Sequence, residues 1–189
     1  MLRSFLLSLA AVSSIASPLL AQSNPPQIGR SPSPDLVKQW DITVLPNGVG
    51  LPAGSGTPDQ GEVVYAAKCA NCHGEHGEGK APSGVTLVGG IGTLASAKPI
   101  KTIGSYWPYA TSVWDYIRRS MPYSEPGTLS ADDTYAVTAF LLFRNGIISR
   151  DQTMNKETLP KVRMPNRDGF IPDSRPDVGK GSPVSPAKP

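Results

Sequence analysis

Lys68-Cys69-Ala70-Asn71-Cys72-His73-Gly74-Glu75-His76 decides how this chain is read, because it holds every cysteine and every histidine among the 189 residues. Cys69 and Cys72 are two residues apart, and His73 follows at once. Three chemistries use such a pattern. A redox dithiol places C-x-x-C at a helix start in a βαβ setting. Structural zinc takes four Cys or His ligands in a tetrahedral clamp. Covalent haem attachment takes C-x-x-C-H.

The third fits best. The stretch follows the end of a helical pattern rather than opening one, which disfavours the dithiol. Four zinc ligands within eight residues make a poor tetrahedron. In the haem reading two thiols reach the two vinyl groups on one edge of a flat ring, and the adjacent imidazole swings under the iron. Cys69 and Cys72 are then the thioether residues, and His73 is the proximal ligand. One motif means one covalently bound haem c. His76 lies too close to His73 to cross the ring and reads as a surface residue.

The opposite face needs methionine or stays open. Met121, in Arg118-Arg119-Ser120-Met121-Pro122-Tyr123, lies between two helical stretches, where a thioether is held firmly, and is the expected distal ligand. Met164, in Arg163-Met164-Pro165, is the rival. Met154 lies in a polar stretch. The Pro82 carbonyl is expected to accept the second N–H of His73. Leu87, Ile103, Ile117 and Leu142 are expected to line the ring. Trp107, Tyr109 and Arg118 are candidates for the propionates, with core filling or a solvated charge as the alternative for each.

Around this centre the chain reads as all-α. The first helical stretch runs from about Asp59 to Cys69, with Thr57 or Asp59 as cap. The second runs from about Thr111 to Ser120, with Val113, Tyr116 and Ile117 on one face. The third runs from Ser130 to about Arg144. Ser130 is its N-cap, Asp132 and Asp133 meet the helix dipole, and Asn145-Gly146 closes it. Gly61 and Tyr65 are expected to let the third helix approach near Phe140. About forty Gly- and Pro-rich residues separate the first two helices, and no run alternates as a strand. Loops of that length need something to pack on, and a haem supplies it.

The ends differ from the centre. Residues 1–21 combine Arg3, an apolar run and a small residue at Ala21, the pattern of a cleaved export signal, with an extracytoplasmic destination. The apolar run is too short and too interrupted to span a bilayer comfortably, so no membrane anchor is expected. No cysteine follows it to carry a lipid. Residues 22–57 read as an extended arm, 58–148 as the haem domain, 149–170 as an extension that wraps the domain or binds a partner, and 171–189 as a disordered Pro-rich tail. The net charge of +3 gives no sign of a nucleic-acid binder. Lys161, Arg163 and Arg167 either dock an acidic partner or form a solvated run.

The motifs from about Pro58 to Ile148 resemble a class I cytochrome c. The flanks are more particular. Trp40-Asp41-Ile42, Gly50 to Gly56, Thr102 to Ala110 and Leu159 to Phe170 look like the cytochrome subunit SoxD, and the resemblance runs from about residue 38 to 172. Some members of that family carry a second haem domain, which this chain lacks a motif for. The resemblance implies a periplasmic, non-catalytic electron-transfer subunit. It would accept electrons from a molybdenum-cofactor-binding subunit of the sulfite-oxidase type, in a sulfane or sulfite dehydrogenase, and pass them to another cytochrome. It also implies that Cys69, Cys72, His73 and Met121 are the haem residues. A free cytochrome shuttle and a five-coordinate haem enzyme or gas-binding protein are the alternatives.

Overall fold

The computed structural model describes residues 28–82 and 84–171. The expected export signal at 1–21 and residues 172–189 of the tail lie outside them. The chain divides into two units, residues 1–40 and 41–189.

Among the described residues the first unit contains one helix, α1 (Pro34–Trp40), inside a segment expected to be extended. The local chemistry explains it. The Ser33 hydroxyl accepts from the Leu36 N–H at 3.2 Å. Pro34 opens the first turn with its φ already set, and Asp35 meets the positive end of the dipole.

In the second unit, α2 (Pro58–Lys68) starts at a capping box: the Thr57 hydroxyl accepts from Gln60 N–H, and the Gln60 side chain accepts from Thr57 N–H. A four-residue helix, α3 (Ala70–His73), follows. Then come α4 (Ala110–Ser120) and α5 (Ala131–Arg144). Ser130 caps α5 by accepting from Asp133 N–H at 3.0 Å. A 3-10 turn covers Leu159–Lys161. Among the described residues no helix is long and apolar enough to cross a membrane.

The helix crossing that organises this unit is α2 on α5. A Cβ at Gly61 would overlap the carbonyl oxygen of Ala136, so only glycine lets the two backbones meet. One turn on, the rings of Tyr65 and Phe140 pack 5.0 Å apart. Helix α5 is buried from Thr134 to Leu142. It is covered nearly all round, which is why its hydrophobic pattern lacks a clean polar face.

On α4 the buried residues are Ala110, Thr111, Val113, Trp114 and Ile117. Tyr116, expected on that face, is instead exposed and meets Trp107 edge-on at 5.6 Å. Trp114 takes the inward place, tilted against Tyr135 at 5.2 Å.

Both flanks of the expected haem domain enter its core. Val44 and Leu51 on the N-terminal side, and Met154, Leu159 and Met164 on the C-terminal side, are buried with the helix residues. Two two-residue strands join them: β1 (Ser55–Gly56) pairs antiparallel with β2 (Met154–Asn155), in the register Gly56↔Met154. Strands that short show no alternation, so none was legible in the sequence. The hydroxyl of Tyr135 donates to the Pro52 carbonyl at 2.9 Å, and that of Thr111 to the Pro46 carbonyl at 3.2 Å. Arg150 reaches Asp59 and Glu62 at the start of α2. These exposed pairs add little energy but keep the C-terminal flank in register.

The long Gly-rich connection is tied down by Asn145, just past α5. Its amide donates to the carbonyls of Leu141 and Leu87, and its oxygen accepts from Gly89 N–H. One side chain thereby closes a helix and anchors a loop some 56 residues away in sequence.

Candidate haem site

Helix α2 delivers Cys69 at its end. The Cys69 N–H donates to Tyr65, and the Cys69 carbonyl accepts from both Cys72 and His73. That single helical turn brings the C-x-x-C-H residues into one compact structure. Beneath it the Tyr65 hydroxyl donates to the Gly74 carbonyl at 2.9 Å. Burial, with the nearby Cys69 and Glu78 adding to it, pushes the Tyr65 phenol well above its usual range, so this donor keeps its proton.

Both cysteines are half-buried and unpaired. Burial, reinforced by Cys72, pushes the Cys69 thiol up to about 11. It is therefore a neutral thiol at ordinary pH. The Glu78 carboxyl is held below the usual range first by its own backbone N–H and then by the His76 N–H, from which it accepts at 2.7 Å. His76 itself is exposed. Among the described residues no three His, Cys, Asp or Glu side chains gather as a metal-ion cluster.

The second N–H of His73 does not go to Pro82, as the sequence suggested. Nδ1 lies 2.9 Å from the Val85 carbonyl oxygen. The cause is a tight reversal. Lys80 and Gly84 pair across a turn in which exposed Pro82 sits at the tip. The returning Gly84 backbone lies on the Cys72 carbonyl so closely that a Cβ there would overlap it. The next carbonyl, that of Val85, then falls on the imidazole. A carbonyl only accepts, so Nδ1 carries the hydrogen, and in the neutral ring Nε2 keeps its lone pair.

The methionines differ sharply. Met154 and Met164 are enclosed in the core at 2% and 1% exposure. The polar sequence around Met154 concealed its burial in β2. Met121 is partly covered and packs against the core from outside it, as do Cys69, Ala70, Leu87, Trp107 and Leu129. It follows α4 in extended backbone, with its N–H donating to Ile117.

The donor set fits a haem c. Two half-buried cysteines, an imidazole with a lone pair on Nε2 and a partly covered thioether accompany part-covered apolar side chains. Ile103 and Ile117 are buried in the adjoining core, and Leu87 is partly covered. Leu142 is a correction: it is fully enclosed by protein and has no surface left for a ring.

The three candidates for propionate contact each have a protein partner. Trp107 is half-buried against Tyr116. Arg167 sits over the Tyr109 ring, 4.1 Å from its centroid, and Arg118 over Trp114 at 5.4 Å. Arg167 was legible only as one charge of a basic run. Asn166 donates to the Tyr106 carbonyl at 2.8 Å and so brings Arg167 back to Tyr109. Arg163 pairs with Asp168, and both are well exposed.

Comparison with known proteins agrees with this geometry. The family described as cytochrome C oxidase, cbb3-type, subunit III matches residues 56–141. The crystal structure of the sulfane dehydrogenase SoxCD from Paracoccus pantotrophus aligns at 44% sequence identity and a TM-score of 0.73, covering 87% of this chain and 80% of that one. The thiosulfate dehydrogenase TsdBA from Marichromatium purpuratum aligns at 22% identity over 46% of this chain and 17% of that one. Its TM-score of 0.33 is too low to establish a shared fold. No curated protein matches.

Proposed function

The chain belongs to the class I cytochromes c, in the group resembling SoxD, and we propose that it is a periplasmic, mono-haem electron-transfer subunit serving a molybdenum catalytic subunit. The observation that carries this reading is the donor pair. The Val85 carbonyl orients His73 with Nε2 free, and Met121 is the partly covered methionine among Met121, Met154 and Met164.

Cys69 and Cys72 would hold a haem c through thioethers, and His73 and Met121 would supply a nitrogen and a sulfur to its iron. Bound there, that group supplies one-electron chemistry. The protein's own part is to hold and tune. Val85 raises the basicity of His73 by accepting its N–H. The apolar side chains around Met121 keep the local dielectric low. Were His73 and Met121 both engaged by that group, it would have no position left for a substrate, which supports a carrier rather than the catalyst. Electrons arrive from a partner of the sulfite-oxidase type that oxidises a sulfur compound, and leave to another cytochrome. The likeness to SoxCD, a sulfane dehydrogenase, supports that partner class.

Purification from the native source tests this. A pyridine haemochrome spectrum should give one haem c per chain, a molybdenum protein should travel with it, and sulfite or a sulfane substrate should reduce it through that protein. Carbon monoxide binding to the reduced chain at neutral pH, or a chain that purifies without any molybdenum subunit, would overturn the reading.

A further inference from the structure

Helix α1 buries none of its residues. Leu36, Val37 and Trp40 fall within about 100° of arc on one side, and are 44%, 46% and 78% exposed. Asp35, Lys38 and Gln39 occupy the other side. Seven residues are about half of what an isolated helix needs to persist in water, so a helix this short with an uncovered apolar face calls for a surface to lie on.

The comparisons indicate whose surface. The family match begins at residue 56, so α1 lies outside it, and none of its residues is buried. The likeness to SoxCD covers 87% of the chain, and an aligned stretch that long takes in residues 34–40 wherever it starts. Residues 34–40 thus fall within the stretch aligned, at 44% identity overall, with the sulfane dehydrogenase SoxCD, a complex of a cytochrome with a molybdenum subunit. The polar side of α1 carries one acid and one base, unlike the Lys- and Arg-rich face of a helix that binds membrane surfaces. Tryptophan is among the residues most often found at the energetic centre of a protein interface.

We infer that α1 is the anchor by which this chain holds its catalytic subunit, with Leu36, Val37 and Trp40 seated in an apolar groove of that partner. This rests on the electron-transfer-subunit reading above and adds the place of contact. The groove it fits is lined by apolar side chains and flanked by polar ones, the helix-in-groove mode of recognition.

The test uses the full mature chain and the purified molybdenum subunit. Trp40→Ala, and separately the double variant Leu36→Asp with Val37→Asp, should weaken the dissociation constant about tenfold or more. The haem spectrum and thermal midpoint should stay at wild-type values, and Lys38→Ala should bind as wild type does. If the α1 variants bind as tightly as wild type, this inference falls while the subunit reading stands. It also falls if they lose instead self-association or binding to anionic lipid vesicles. If the wild-type chain binds no molybdenum subunit, the subunit reading falls and takes this inference with it.

Discussion

The Nδ1 atom of His73 lies 2.9 Å from the carbonyl oxygen of Val85, twelve residues further along the chain. This bond depends on the Lys80–Gly84 reversal and on the contact of Gly84 with the Cys72 carbonyl.

Gly84→Ala is therefore expected to push the reversal away from Cys72 and withdraw the Val85 carbonyl. The hold of His73 on the iron should weaken roughly 10- to 100-fold, the usual cost of losing a histidine's outer partner. Val85→Ala keeps the carbonyl and should leave that bond near wild type. Midpoint potential and displacement of His73 by added imidazole read both; equal changes in the two variants would contradict the carbonyl's role.

The methionines separate by two measurements. Met121→Ala should abolish the near-infrared sulfur-to-iron band. Met164→Ala should keep that band and cost about 2–5 kcal/mol, because it empties a fully enclosed site. A band that survives Met121→Ala removes it as the distal ligand.

Gly61→Ala pits two effects against each other. Helix propensity gains about 1 kcal/mol. Overlap with the Ala136 carbonyl forces α2 and α5 apart, at about 3 kcal/mol. The clash is the larger, so denaturant midpoints should fall. A variant as stable as wild type would mean that the crossing tolerates separation.

Tyr135 links stability to alkaline pH. Burial first, then the charge of Glu157, pushes its phenol up to about 12 from an ordinary value near 10. Between those values the unfolded chain has lost the proton and the folded chain retains it. Its contribution is complete below pH 10 and is lost as pH rises toward 12. Tyr135→Phe should flatten that fall, at a cost of about 1 kcal/mol at neutral pH for the lost bond to the Pro52 carbonyl. Urea titrations at pH 8 and pH 11 measure both effects.

The C-terminal flank can be tested in the same way. Leu159 is fully buried with the helix residues, so Leu159→Ala should cost about 2–5 kcal/mol. A change within 0.5 kcal/mol, as at a surface site, would mean that the flank is an appendage.

What the sequence determined by itself was local. The C-x-x-C-H spacing, the Thr57 and Ser130 caps, the Asn145-Gly146 ending and the close approach at Gly61 are each written within a few residues, because a cap or a helical face spans one or two turns. Ser33-Pro34-Asp35 held the same kind of start signal for α1 within a segment expected to be extended. What only the tertiary structure decided was distant pairing. The Val85 carbonyl rather than that of Pro82, Trp114 rather than Tyr116 on the inner face of α4, Arg167 over Tyr109, and the burial of Met154 and Met164 all join segments far apart in sequence. Hydrophobic spacing says that a side chain seeks cover. Which surface covers it depends on how loops reverse and backbones meet, and here that was set by Gly84 against Cys72, Gly61 against Ala136 and the two-residue pairing of β1 with β2.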